Sequence, residues 1–338
     1  MSPPFLSANS DVDMDMREPT ISVVIPAYNV APYIDAALNS LAQQTVRPHE
    51  VIIVDDGSED DTWQRMCAFP HPYRVELIST DNQGQGRARN LAIARSSGEY
   101  LYFFDADDLL EPDFIEKMQE IIISRQYPDI IFFSGDAFFD EGAQGVDFVR
   151  TYRRGCAGEY LTAAGLLAAF ERHGGGSCSP CLYLSQRRLW SGKLRFKAYY
   201  HEDEEVFYPL IFAAERYVVV DEVFFQRRIR QGSTMTMSKN RKHVRGLHVL
   251  LESLLALYRD PAYRDCRRHI RKRAIQYTGQ YMNVCRDVRE PYDMSLLLSL
   301  ILGFRNRWMC LKIAFHTLNG SLRATIKRHL NRRRLVSH

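Results

Sequence analysis

Over the first 140 residues the apolar positions switch repeatedly between two spacings, and each switch predicts a change of element. Ile21–Pro26 (ISVVIP) is an unbroken β-branched run, the pattern of a strand buried on both faces. Pro32 is suited to open a helix whose inner face carries Ile34, Leu38 and Leu41. Val51–Val54 predicts a second strand. Ser58 followed by Asp61 predicts an N-cap and a helix through Met66. Val75–Ile78 predicts a third strand. Gly86–Ser96 places Ala88, Leu91, Ala92 and Arg95 at helical spacing. Gly98 stops that helix, and Tyr100–Phe104 is a fourth strand. A helix from Pro112 to about Arg125 and a strand at Ile130–Phe133 follow. Alternation of this kind predicts an α/β fold, a Rossmann-like, mostly parallel, doubly wound sheet. Beyond residue 140 the alternation fades into turn-rich EGAQG and HGGGS. Strands are expected at Leu182–Leu184 and Tyr217–Val220, and a helical, Arg-rich pattern begins near Arg241.

Ligands of such sheets bind outside the carboxyl ends of the strands. There the first strand delivers Pro26, Ala27, Tyr28 and Asn29, and the second delivers Asp55, Asp56, Gly57 and Ser58. The fourth delivers Asp105, Asp107 and Asp108, in YLYFFDADDLL. Clustered carboxylates repel one another unless a positive charge joins them. A hard divalent cation, Mn²⁺ or Mg²⁺, with a phosphate-bearing ligand is the natural complement. The competing reading of this triplet is a polar turn capping the next helix, a role also open to Asp108 alone. Chance decoration of turns explains one such strand end easily and three together poorly.

Charge changes the picture once it is located. The chain of 338 residues carries +3 overall, yet residues 241–338 hold 21 Lys/Arg against six Asp/Glu. A basic extension therefore follows an acidic body, which suggests a surface that meets anions. Three segments are expected: a disordered, acidic lead-in at 1–18, a catalytic domain at 19–240, and a basic helical extension at 241–338. The start lacks the basic and apolar regions of a signal peptide. Seven cysteines at irregular spacing suit a reducing compartment. Cys178 and Cys181 form a lone CxxC, too little for zinc. Gly84-Gln-Gly86-Arg-Ala-Arg89 only superficially resembles a dinucleotide fingerprint, because Arg89 stands at its third glycine and it follows the third strand.

Taken together, VVIPAYN, IIVDDGSEDDT, NQGQGRARNLAIARSSGEYLYFFDADD and HEDEE resemble the inverting glycosyltransferases of family 2, over roughly residues 20–235. The subgroup suggested is the bacterial one that builds capsular, exopolysaccharide or lipopolysaccharide chains. The resemblance implies a GT-A fold, a UDP-sugar donor, an Mn²⁺ or Mg²⁺ cofactor and transfer of a hexose or N-acetylhexosamine to a growing surface glycan. It also implies roles. Pro26, Ala27, Tyr28 and Asn29 would line the base pocket. Asp55 and Asp56 would bind the nucleoside, and Asn82, Gly84 and Arg89 would complete the nucleotide side. Asp105, Ala106 and Asp107 would form the DXD motif, with Asp105 towards the ribose or sugar and Asp107 on the metal. Glu202-Asp203 would be the ED motif, with Asp203 the base that deprotonates the acceptor hydroxyl. Arg228, Arg230 and Ser233 fit Arg-x-Arg-x-x-Ser, whose guanidinium groups can clamp a diphosphate. An acid run such as Glu202–Glu205 is also an ordinary solvated helix start.

Two other functions compete with this one. A sugar-phosphate nucleotidyltransferase also uses a doubly wound sheet, but carries a glycine-rich basic loop after its first strand where this chain has PAYN. A non-catalytic nucleotide-sugar-binding scaffold is disfavoured by intact Asp105, Asp107 and Asp203. For the extension two readings stand. The basic clusters 266–273 and 331–334 flank Leu296–Leu302, Phe304, Trp308, Leu311, Ile313 and Phe315, which suits an anionic membrane surface and lipid-linked acceptors. Packing on the catalytic domain suits them as well. Nucleic acid is not expected as a partner. The expected location is cytoplasmic, peripheral on the inner face of the cell membrane.

Overall fold

The computed structural model describes residues 17–140, 152–230 and 237–305. Its first half follows the expected alternation: β1 (Ile21–Ala27), α1 (Ile34–Ala42), β2 (Glu50–Asp55), α2 (Thr62–Ala68), β3 (Val75–Ser79), α3 (Gln85–Arg95) and β4 (Tyr100–Phe103). Then come β5 (Leu109–Leu110), α4 (Phe114–Ser124), β6 (Ile130–Phe139), β7 (Gly158–Tyr160), α5 (Ala163–His173), β8 (Tyr183–Gln186), α6 (Glu202–Phe212) and β9 (Tyr217–Ile229). Helices α7 (Arg241–Arg259), α8 (Arg267–Val288) and α9 (Met294–Phe304) complete the described chain.

The sheet runs β3-β2-β1-β4-β8-β6-β9-β5, with β7 also on β9. Strands β1 to β4 pair in parallel, as the helical crossovers between them require. Strand β8 then enters antiparallel to both β4 and β6, so the second half is mixed. Strand order reverses between β1 and β4, which makes that boundary the switch point where ligands bind. Pairing of β1 with β4 stops at Val24–Phe103, while β1 stays on β2 to Ala27–Asp55. Pro26, which has no N–H to give, falls beyond the last β4 partner.

Alternate residues of each strand face opposite layers. Val23 and Ile25 join Leu38, Leu41, Phe114 and Met118 on one face. Val24, Ile52 and Phe103 join the other, with Leu166, Phe207, Leu250, Leu254, Ile270, Tyr281 and Leu300. Helices α7 to α9 therefore share one core with the sheet, as the packing reading of the extension expects. Leu296, Leu297, Leu300 and Phe304 point into that core. Met294, Leu298 and Leu302 are exposed, and spacing by four puts them on one outer stripe. Trp308, Leu311, Ile313, Phe315 and cluster 331–334 lie outside the described residues. Among those described, no helix is long and apolar enough to cross a membrane.

Three local expectations are corrected. Helix α2 starts at Thr62, not after Ser58, because the Ser58 hydroxyl instead accepts the Asn29 N–H at 3.0 Å. The strand expected at Tyr217–Val220 runs on to Ile229, since β6 offers a long parallel partner from Ile130 to Phe139. Asp108 does not cap a helix: α4 begins at Phe114, and Asp108 is buried against β9.

Gly246 of α7 is where the extension touches the segment leading into α6. A Cβ there would lie 2.0 Å from the Tyr200 carbonyl oxygen. Gly246→Ala is expected to cost about 1–3 kcal/mol through overpacking, read as a lower urea midpoint.

Candidate active site

A cleft of about 1370 Å³ opens at the carboxyl ends of β1, β2 and β4 and continues between α6, α7 and α8. Of the residues singled out in the sequence, Pro26, Ala27, Tyr28, Asp56, Asn82, Gly84, Arg89, Asp105, Ala106, Asp107, Glu202, Asp203, Arg228 and Arg230 line it. Asn29 and Asp55 do not. Asn29, at φ 49°, ties two loops together: its N–H donates to Ser58 and its Oδ1 accepts the Glu59 N–H at 2.8 Å. Asp55 is buried, with its Oδ2 accepting the Ser58 N–H at 3.3 Å and its Oδ1 without a partner among the described residues. Ser233 lies outside the described residues.

Asp56 is occupied by the backbone of the loop before α3. Its carboxylate accepts the Gln83 and Gly84 N–H groups, both at 2.8 Å. That loop crosses close to Gly57, where a Cβ would sit 2.7 Å from the Asn82 nitrogen and φ is +73°, so only glycine fits. Tyr28 is left 45% exposed at the mouth, its ring free to stack.

Arg89 organises the floor. Its guanidinium is buried, with Nη2 donating to Asp105 at 2.9 Å and Nη1 donating to Glu202 at 3.0 Å. One side chain thus joins the turn after β4 to the first turn of α6. The guanidinium rests 5.2 Å from the centroid of the Phe196 ring, which stacks on Trp190 and meets Phe103 edge-on. Asn90, next to Arg89 on α3, holds the Phe196 backbone through two hydrogen bonds of 2.8 and 3.0 Å. The segment that leads to the second acid pair is therefore fastened directly to α3.

Alternation along β9 sorts Arg227 and Arg228, and Arg230 just past its end. Arg228 and Arg230 lie on one face, at 5.2 and 4.8 Å from the Tyr33 ring. Arg228 donates its N–H to Asp108 at 2.7 Å and its Nε to the Asp107 carbonyl at 2.9 Å. Arg230 pairs with the Asp107 carboxylate at 2.7 Å. Arg227 faces the other way, over Tyr152. It is a member of the site that the sequence did not single out, although period-two reading of QRRIR would have separated it from its neighbours. Cys181 is another, its thiol close to the Asp105 and Asp108 carboxylates. The lone CxxC was the available signal, but its spacing says nothing of Asp105.

Asp105, Asp108 and Cys181 bring their donor atoms within 4.8 Å of one another, while Asp107 beside them is paired with Arg230. Burial, with Asp107 and Asp105 nearby, raises the Asp108 pKa well above the carboxylate range. Such an acidic wall, with Asp105 and Asp107 facing the cleft, fits a hard divalent cation. Across from it, His201 starts α6 with a left-handed backbone (φ 71°) and pairs with Glu204 at 3.0 Å. Burial raises the Glu202 carboxyl to about 7, with the Asp203 charge adding and Arg89 opposing. Burial also lifts Asp203 well above its usual range, with Glu204 adding. Both acids hold their protons longer folded than unfolded, so their ionisation lowers stability as pH climbs above about 4, for Glu202 until about 7.

Residues 22–164 match the model for glycosyl transferase family 2. This stretch belongs to that family. The matched stretch includes the carboxyl ends of β1, β2 and β4. Chondroitin synthase of Escherichia coli is 44% identical over 102 residues, 30% of this chain and 15% of that protein. An uncharacterised glycosyltransferase of Rickettsia conorii is 28% identical over 145 residues, 43% of this chain and 24% of that protein. The chain thus spans a quarter or less of these two relatives. Among solved structures, residues 1–349 of TarS from S. aureus superpose with a TM-score of 0.61 at 18% identity, covering 84% of this chain and 81% of that one. TarS has also been solved with UDP and with UDP-GlcNAc. A mannosyltransferase from Pyrobaculum calidifontis, solved with GDP-Man and Mn²⁺, reaches 0.53 at 16% identity, covering 88% of this chain and 85% of that one. These likenesses establish the mixed α/β, GT-A type of fold.

Arg89→Met is expected to destabilise the protein by about 2–4 kcal/mol at pH 8, because two partly buried carboxylates lose their common cation. The loss shrinks at pH 5, where Glu202 is protonated. Urea unfolding at both pH values checks this.

Proposed function

We propose that the chain is a metal-dependent, inverting glycosyltransferase that moves a hexose or N-acetylhexosamine from a UDP-sugar to a hydroxyl of a growing surface glycan. The observation that carries this reading is the Arg89 bridge. It places two acid pairs, 113 and 16 residues from Arg89, in one cleft. One pair belongs beside a diphosphate, and the other has the environment of a base.

In this reading the nucleoside enters between Tyr28 and the 82–84 loop, whose shape Asp56 fixes. Asp105 and Asp107 would hold Mn²⁺ or Mg²⁺, which when bound offsets the charge of the departing diphosphate. Arg228 and Arg230 hold the Asp105–Asp108 turn in place. Asp203, lifted by burial towards a useful basicity, takes the proton of the acceptor hydroxyl as that oxygen attacks the anomeric carbon. The bond to UDP breaks on the opposite face, so one displacement inverts the anomeric centre. The TarS complexes with UDP and UDP-GlcNAc support a uridine donor on this fold. The same reading seats the protein on an anionic membrane, supported by the outward Met294, Leu298 and Leu302 stripe ahead of a basic sequence.

The purified protein is expected to hydrolyse a UDP-sugar slowly with Mn²⁺ in the absence of acceptor; silence across a donor panel would leave only a binding protein. Asp203→Asn is expected to cut transfer at least a thousandfold while UDP affinity is unchanged, and surviving transfer removes the base assignment. With wild type, kcat/KM should rise with pH and level off well above the usual carboxylate value of about 4, since Asp203 must be ionised to act. For the membrane, Leu298→Ser with Leu302→Ser should weaken co-flotation with phosphatidylglycerol vesicles, and unaltered flotation would refute the stripe.

A further inference from the structure

The cleft extends well beyond the space that a nucleotide sugar and a single acceptor hydroxyl require. From Asp203 it continues as a groove with two walls. One wall is a single face of α8, bearing His269, Lys272, Arg273, Gln276, Gln280 and Asn283. Spacings of three and four keep these residues in line for four turns, about 20 Å. The other wall is the start of α7 with the residues before it, bearing Lys239, Lys242 and Arg245.

The charges on these walls are unbalanced in one direction. Acids that line this arm are already engaged. Glu171 holds His269 at 2.8 Å and Lys272 at 3.2 Å, Glu204 holds His201 at 3.0 Å, and Asp287 holds Arg286 at 3.0 Å. The cations are less engaged. Among the described residues, the Lys239 and Lys242 ammonium groups have no ion-pair partner, and both side chains are exposed. Arg245 has only the Tyr199 ring, at 4.7 Å, and its hydroxyl, at 3.1 Å. The Arg273 guanidinium reaches the Gly176 carbonyl and Gln276, both neutral. Gln280 and Asn283 offer amides with no partner among the described residues, the groups that pair with sugar hydroxyls. Arg89, Arg228 and Arg230 at the other end of the cleft are paired with Asp105, Glu202, Asp140 and Asp107, whereas Lys239, Lys242 and Arg245 have no carboxylate partner among the described residues.

We infer that this groove binds the acceptor, and that the acceptor is an extended glycan carrying carboxylates or phosphates along its length. The inference rests on the glycosyltransferase reading and adds the class of its second substrate. The α8 face supplies several successive sugar contacts, while Lys239, Lys242 and Arg245 meet anions nearest the reacting end. Affinity should therefore grow with chain length and fall with ionic strength, because the facing charges are solvent-exposed.

The test uses the full chain and three fluorescent octamers: hyaluronan for carboxylate, phosphorylated maltooctaose for phosphate, and maltooctaose as neutral control. At least one anionic octamer is expected to bind ten or more times tighter than the neutral one, and tighter than its own disaccharide. Lys239→Glu with Lys242→Glu should weaken that octamer about tenfold and leave UDP affinity unchanged. Gln276→Ala with Asn283→Ala should weaken the octamer and spare the disaccharide. Equal binding of the neutral octamer, or no response to charge reversal, overturns the inference. A loss of UDP affinity instead would assign these lysines to the donor and also overturn it. Acceptor-independent UDP-sugar hydrolysis is measured alongside. Hydrolysis without anion preference defeats the acceptor class alone, whereas octamer binding without hydrolysis defeats the transferase reading.

Discussion

The guanidinium of Arg89 is the constraint on which the site depends. A cation sealed from water must be met by anions, and here two carboxylates from distant parts of the chain supply them. Glu202 would not tolerate its surroundings alone, since it is already pushed up to about 7 with Arg89 in place. The bridge therefore fixes the distance between the turn after β4 and the start of α6. The stack of Phe196 on Trp190 beneath it keeps water away and strengthens the pairing.

The opposite wall follows the same logic. The turn Asp105–Asp108 concentrates negative charge where the sheet opens between β1 and β4. Arginines of β9 answer it from one side and Arg89 from the other. Because the end of β9, Phe225 to Ile229, pairs continuously with Gly135 to Phe139 of β6, its arginines stand on a rigid support. Asp108 belongs to this support. Buried and bonded to the Arg228 backbone, it locks the turn to β9 and leaves Asp105 and Asp107 facing the cleft. Helices α7 and α8 then close the remaining side. Their apolar faces join the core beneath the sheet, and their polar faces become a wall of the groove.

The sequence by itself determined much of this. Its β-branched runs and helical spacings located β1 to β4 and the start of β6, though not the short β5, because a strand buried on both faces has little choice of composition. Turn chemistry located the carboxylates, since the carboxyl ends of parallel strands are where such a sheet leaves side chains unpaired. Motif order identified the family and both acid pairs. It also named Arg89, Arg228 and Arg230, yet not what they touch.

Tertiary structure decided the directions of those side chains. Asn29 and Asp55 sit at strand ends as expected, but loop hydrogen bonds turn them away from the cleft, and Asp56 spends its carboxylate on the backbone of the next loop. Arg227 and Cys181 enter the site only because β8 and β9 lie beside β4 and β6 in the folded sheet. The destination of the basic extension was equally beyond the sequence. Its arginines suit water, lipid or a groove alike, and only the packing of its leucines against the sheet selects which face is left for ligand. Local pattern fixes what each residue prefers, whereas long-range contacts, made between positions a hundred apart, fix which preference is satisfied.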